Sequence, residues 1–327
     1  MVTTSSSYLI MASVSEDEMS DVERRVCARL PEGACRALID LPATDLQTVL
    51  LSVARRRAAR VKPPDVLRRW REDRFVRPAA CDPRELAAIE TQLWQLLPSG
   101  VEGVELSPVA PLGTSSALGP VSQNRIVTTM RSAEVLSDST NALAIEAADR
   151  RERQAATGYV HLAASHRQLR AQRVHAGMSA HFRLFTLVSS ARDVGSGTTQ
   201  ARLLTLHLDY WYRVLATLVP FASPQLRSTV LDSPVMRERI NDTVLPALGY
   251  LGNAARTVPV VEEPDRERGR GYYVDAALRI TAGHGDHVVE LGDGGFTTWT
   301  AQLMGNAKER NLVSCISTER LAVVART

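Results

Sequence analysis

The chain has 327 residues, 44% hydrophobic and 23% charged, the balance of a folded protein with material for one large domain and a smaller one. Its formal net charge is +3, and only Lys62 and Lys308 are lysines, so 37 of the 39 basic residues are arginine, a bias that reads as genome composition rather than as a dedicated polyanion surface. No apolar run is long enough to span a membrane, and Cys27, Cys35, Cys81 and Cys315 contain no CxxC pair, so neither a zinc site nor a disulfide framework is expected and the expected location is cytoplasmic.

Residues 1–15 read as a flexible tail, without the basic start and long hydrophobic stretch of a signal peptide. Residues 16–98 read as an N-terminal helical domain. DVERRVCARL, DLQTVLLSVARRRAARV and PRELAAIETQLWQLL each repeat apolar residues at three and four, punctuated by prolines. Between them runs a basic stretch, Arg55, Arg56, Arg57, Arg60, Lys62, Arg68, Arg69, Arg71, Arg74 and Arg77, which includes Trp70 and Phe75. It could offer a surface to an RNA backbone or an acidic carrier protein. Asp65, Glu72 and Asp73 interrupt it, so it reads first as a solvated helix face.

From residue 99 to residue 327 the pattern is that of an α+β domain. VEGVELSPVAPLGTSSAL and NRIVTTMRSAEVL suggest strands and loops, and a helix follows from Thr140. HRQLRAQRV and AHFRLFTLVSSARD form a hairpin pattern, and ARLLTLHLDYWYRVLATLV opens a helical insertion over about residues 200–264. GYYVDAALRITA, HVVELGDG and NLVSCIST are the closing strands. An antiparallel sheet flanked by helices is the expected architecture.

Three segments, in order, carry a resemblance. Arg170-Ala171-Gln172, a loop, and His181 through Phe185 resemble motif 2 of the class II aminoacyl-tRNA synthetases. Arg268-Gly269-Arg270-Gly271-Tyr272-Tyr273 is similar to the Arg-Gly-x-x-Tyr-Tyr element of the histidyl type, and Ser314 to Leu321 to the Glu-Arg-Leu ending of motif 3. Asp138-Ser139-Thr140 stands where the histidyl type has Pro-Glu-Gly-Thr, and Leu106-Ser107-Pro108 resembles the end of the dimer-forming motif 1. The resemblance covers about residues 100 to 327. The anticodon-binding domain that follows motif 3 in histidyl enzymes is not expected, because the chain ends seven residues after Arg320.

The resemblance implies ATP-dependent activation of an amino acid or related carboxylate, with ATP and Mg2+ bound. Transfer would be to a small amine, a carrier thiol or an RNA, and the enzyme would be a homodimer with no membrane partner. Arg170, Arg268 and Arg320 are the implied catalytic residues. Arginine suits the task because its planar fork binds two phosphate oxygens at once. Gln172, His181, Phe185 and Glu319 would complete the ATP site, and Asp138, Thr140, Tyr272, Tyr273, Gly294 and Gly295 the amino-acid site. Asp138 has a second reading as a helix cap. Glu105, Glu134 and Glu146 are candidates for magnesium, while His284, Asp286 and His287 are too few for a metal site of their own. The alternative implication is a silent regulatory subunit that senses an amino acid, like the histidine-biosynthesis paralogue. Gln172 in place of glutamate and Phe296 in place of an arginine after Gly294-Gly295 are the departures from the histidyl pattern.

Overall fold

A computed structural model describes residues 19–119, 121–153, 158–171, 179–249, 258–267, 269, 271–285 and 287–326. The chain divides into two compact units, one ending at Val61 and the other running from Lys62 to Thr327.

In the first unit, α1 (Asp21–Cys27) begins with a capping box between Ser20 and Glu23, and α2 (Ala34–Asp40) and α3 (Ala43–Ala58) follow. None of the three contains a buried residue. One expectation is corrected here, because Cys27 and Cys35 form a disulfide. Cys27 closes α1 and Cys35 lies in the first turn of α2. The reversal through Pro31 and Gly33, whose φ of 74° suits glycine, brings their Cα atoms to 6.1 Å. Spacing along the chain gives no sign of this.

The second unit opens with α4 (Pro63–Glu72) and α5 (Pro83–Gln95). The division at Val61 puts α5 with the sheet, whereas the sequence suggested a boundary near residue 98. The reason is burial. Leu93 of α5 is fully buried, Trp94 packs edge-on against Phe185, and Tyr210 Oη donates to the Leu93 carbonyl. Strands β1 (Glu102–Gly103), β2 (Val109–Pro111) and β3 (Ala133–Val135) flank the short α6 (Thr114–Leu118). Then come α7 (Ser139–Arg153), β4 (Val160–Leu169), β5 (His181–Arg192) and α8 (Thr198–Leu218). Strand β6 (Gln225–Leu231) precedes α9 (Pro234–Arg239), a π turn (Ile240–Val244), α10 (Leu245–Gly249) and β7 (Val260–Glu262). The stretch expected as a helical insertion therefore also supplies two strands. The chain closes with β8 (Val274–His284), β9 (His287–Thr297), α11 (Trp299–Leu303), β10 (Glu309–Ser317) and α12 (Thr318–Arg326).

Eight strands form one sheet in the order β1-β4-β5-β10-β9-β8-β6-β7. The interior is antiparallel, as expected, but the outermost pairs β1–β4 and β6–β7 are parallel, so the sheet is mixed. Its two faces are covered differently. Phe185, Leu187, Leu312 and Ile316 point into the larger core beneath α8. Leu162, Ala164, Val188 and Val313 point into a smaller core with Leu143, Ala144 and Ala147 of α7. Arg151 of α7 grips Glu309 of β10 with two 3.0 Å bonds, and both side chains are buried. Charge on this scale is tolerated because the geometry is bidentate.

A polar chain threads the α8 core. Trp211 Nε1 donates to Ser314 Oγ (2.8 Å), which lies 2.7 Å from His207 Nδ1; His207 Nε2 is 2.9 Å from Ser189 Oγ, itself 2.7 Å from His161 Nδ1. One donor per link satisfies the whole chain if His207 carries its proton on Nε2. Burial pushes the His207 pKa down to about 3, so it folds neutral. The unfolded chain then binds the extra proton first, and stability falls as pH drops below the ordinary histidine value, by up to about 1.4 kcal/mol per pH unit. The melting-temperature advantage of wild type over His207→Asn should therefore shrink steadily from pH 7 to pH 4. A pH-independent difference would mean that His207 is not the group that titrates.

Candidate active site

The candidate site lies on the α7 face of the sheet, at the end where β4 and β10 finish and β5 begins. The register fixes that end, since Leu169 pairs with His181 and Ser317 with Leu184. Along this face Ala164, Thr186, Cys315, Asp293 and Arg279 stand in one row, each paired with the next across five strands.

The first turn of α7 sits above Thr186, bonded to it through Ser139 Oγ (2.6 Å). Asp138 caps this helix. Its Oδ1 accepts from Thr140 N (3.0 Å) and Thr140 Oγ1 (2.7 Å), so the capping reading is the one observed. Gln168 is fully buried beside it; its amide nitrogen donates to the Ser137 carbonyl (2.9 Å) and its oxygen accepts from Ser139 Oγ and N. Arg170 leaves the end of β4 and reaches back to the same turn. Nε donates to the Ser137 carbonyl (2.9 Å), Nη2 to Asp138 Oδ2 (3.0 Å), and the guanidinium lies over Phe182, 5.1 Å from the ring centre.

Tyr272 and Tyr273 meet edge-on, with ring centres 4.7 Å apart. Tyr273 is buried and lies flat on the sheet between two glycines. A Cβ on Gly295 would stand 2.5 Å from its ring, and one on Gly269, with φ at 85°, would stand 2.8 Å away. Arg266 covers the ring at 5.7 Å and reaches Asp293 Oδ2 at 3.4 Å. Burial raises the pKa of Asp293, only partly offset by Arg266, and pushes the phenol of Tyr272 and the thiol of Cys315 up as well.

Arg320, exposed at the start of α12, donates from Nη1 to the Glu290 carbonyl of β9 (2.7 Å), and its N–H lies 3.3 Å from Ser317 Oγ. Arg170 and Arg320 thus stand at one end of the sheet. Arg268 and Gln172, with Arg270 and Asp286, lie outside the described residues.

Other expected residues are not brought to this face. Phe185 is fully buried on the α8 side, between Trp94 and Tyr210. His181 faces that side too. Arg167 Nη1 donates to its Nδ1 (3.0 Å), which leaves Nε2 to donate to the Arg77 carbonyl (2.6 Å). Glu319 pairs with Arg167 at 3.0 Å and accepts from Cys81 Sγ at 3.6 Å. The physical reason is parity: odd-numbered residues of β5 face α8, so the aromatic on the site face is Phe182. Gly294 likewise turns to the α8 side, where a Cβ would strike Ser314. Asp293 and Phe182 were missed by sequence reasoning, and the two-residue alternation was the signal that could have found them.

Among the candidates for magnesium, Glu134 accepts from Ser115 N, Ser115 Oγ, Gly113 N and Gln123 Nε2, two donors on each oxygen. Burial pushes its pKa up, but these four donors outweigh it and hold the carboxylate below the ordinary range. Glu146 pairs with Arg150 at 2.7 Å. Among the described residues no cluster of three or more metal-ligating side chains occurs, and no helix is long and apolar enough to cross a membrane.

The structure matches the apo histidyl-tRNA synthetase of Staphylococcus aureus (TM-score 0.53, 15% identity, 74% of this chain and 65% of that one). It also matches an ATP phosphoribosyltransferase regulatory subunit/histidyl-tRNA synthetase from Bacillus halodurans (0.57, 10%, 77% and 83%) and the histidyl-tRNA synthetase of Nostoc (0.55, 13%, 78% and 74%). The fold is that of the class II synthetases. At these identities the likeness concerns the fold, and the chain spans just under two thirds of the Staphylococcus enzyme. No protein-family model matches the sequence, and no curated protein matches it.

The packing of Tyr273 is directly testable. Gly295→Ala should cost about 1–3 kcal/mol of stability, because backbone and a buried ring must move apart. Gly100→Ala, where a Cβ meets open space, should be close to silent in the same thermal melts. Equal melting temperatures for the two variants would refute the stacked arrangement.

Proposed function

We propose that the protein activates an amino acid or related carboxylate with ATP and transfers the acyl group to a small amine, a carrier thiol or an RNA. In the first step a carboxylate oxygen attacks the α-phosphorus of ATP, the bond from that phosphorus to the β-phosphate bridge breaks, and acyl-adenylate and pyrophosphate form. The observation that carries this reading is the pair Arg170 and Arg320 at one end of a class II sheet, beside a face of tyrosines and carboxylates.

Charge spreads over phosphate oxygens in this reaction, so the protein's task is positioning and cationic stabilisation. Arg170 would grip the α-phosphate through Nη1 while Nη2 stays on Asp138, with Phe182 keeping the guanidinium flat. Arg320 would take the γ-phosphate side, exchanging the Glu290 carbonyl for phosphate oxygens. Arg268, by resemblance, would meet the reacting carboxylate. Mg2+, when bound, would neutralise phosphate charge. A homodimer braced on the strand after Pro108 belongs to the same reading, and Val109 (40%) and Leu112 (52%) are exposed there.

Pyrophosphate exchange across a panel of amino acids tests the proposal. Arg170→Ala and Arg320→Ala should each slow exchange by about a hundred- to a thousandfold, worth roughly 3–4 kcal/mol, with melting temperatures preserved. Exchange with no acid would overturn the enzyme reading and leave ligand sensing. Light scattering at micromolar concentration should give twice the monomer mass, and Val109→Asp should halve it; a wild-type monomer would sink the dimer.

A further inference from the structure

The geometry points to Asp293, rather than Asp138, as the carboxylate that receives a cationic group of the acyl substrate, the ammonium of an amino acid. This inference rests on the adenylate-forming reading of the site and names its substrate class and a specificity-determining residue.

Hydrogen-bond capacity makes the argument. Asp138 is the more heavily engaged of the two carboxylates, with three donors. Both Thr140 donors occupy Oδ1 and Arg170 occupies Oδ2, so a ligand there would displace a helix cap or an ion pair. Asp293 is the reverse case. Among the described residues its one side-chain contact is the 3.4 Å approach of Arg266 to Oδ2, and Oδ1 has no partner. Its side chain is 40% exposed, against 25% for Asp138.

The surroundings leave that oxygen to a ligand. Across the strand pair, Arg279 turns to Glu263, 2.7 Å away. On the other side Cys315 offers a thiol that burial keeps protonated. Above, Tyr272 contributes a neutral hydroxyl with no partner among the described residues. Glu290 on the same strand and Asp138 at α7 raise its pKa further, and Arg170 and Arg266 act in the opposite direction. Thr281, buried on this face one residue pair along β8, has an unpartnered hydroxyl as well. A partly buried carboxylate with an open oxygen beside neutral donors and acceptors is suited to an ammonium, which brings three N–H donors and a positive charge. Protonation of Asp293 removes that charge, so binding weakens as pH falls through its raised pKa.

The test pairs each amino acid with the same acid lacking its amino group, in exchange assays and in calorimetric binding to the full chain. Wild type should prefer the amino acid. Asp293→Asn should raise its KM about ten- to a hundredfold, the range expected for a hydrogen bond to a charged group, while the KM for ATP stays put. The preference should vanish in Asp293→Asn and survive in Asp293→Glu, and only the amine-bearing acids should lose affinity as the pH is lowered through the raised pKa of Asp293. An unchanged KM in Asp293→Asn overturns the assignment, as does selective loss in a folded Asp138→Asn. If no acid supports exchange, the enzyme reading fails by itself, and calorimetry still decides: amine-dependent binding lost in Asp293→Asn sustains the assignment, and its absence in wild type ends it.

Discussion

Ser314 and Cys315 are chain neighbours that look into opposite halves of the molecule, and this two-residue alternation governs everything built on the sheet. Ser314 closes a hydrogen-bonded chain under α8, while Cys315 lies in the floor of the candidate site. The same rule separates Phe182 from Phe185. Three residues apart, they fall on opposite faces; one lies under a guanidinium, and the other is buried against Trp94 and Tyr210. The α8 side is apolar over its centre and carries ion pairs toward one end, where Arg167 meets Glu319 and Arg183 meets Glu90.

The charged face is held together by groups that already satisfy one another. Asp138 caps α7 and pairs with Arg170; Gln168 and Ser139 lock the same turn to β5. Glu134, saturated by four donors, fixes the start of α6 nearby. Such networks are costly to leave half-made, so they position the turn firmly. Arg170 is the element of this network that could meet a phosphate, through Nη1, while keeping its ion pair and leaving the helix end covered. Asp293 differs from the rest in being under-satisfied, which is why a ligand-binding role is assigned to it and not to the capped aspartate.

The first unit follows other physics. Its helices bury no residue, so packing supplies little, and the Cys27–Cys35 bond links two short helices that would otherwise be held mainly by the Pro31–Gly33 turn. The second unit has two cores, a full sheet and a fold shared with the class II synthetases at 10–15% identity. Fold survives such divergence because it depends on apolar alternation, which many sequences satisfy.

The sequence by itself determined the α+β class, the order of strands and helices in the second half, and the family likeness. Those follow from local periodicity: apolar residues at three and four in ARLLTLHLDYWYRVL, alternation in the closing strands, and short motifs read as strings. It also indicated that Asp138 could cap a helix, since capping is a local act. Only the tertiary structure decided which face each residue serves. Motif spelling matched His181, Phe185 and Glu319 to a nucleotide site; the register turns His181 and Phe185 to the α8 side, and Glu319 of α12 pairs with Arg167. The disulfide, the inclusion of α5 with the sheet and the half-exposed side chain of Asp293 were equally illegible, because each depends on contacts between residues distant in the chain or on solvent access. A string of residues carries the period of a strand; its phase relative to the core is set by the partners it packs against.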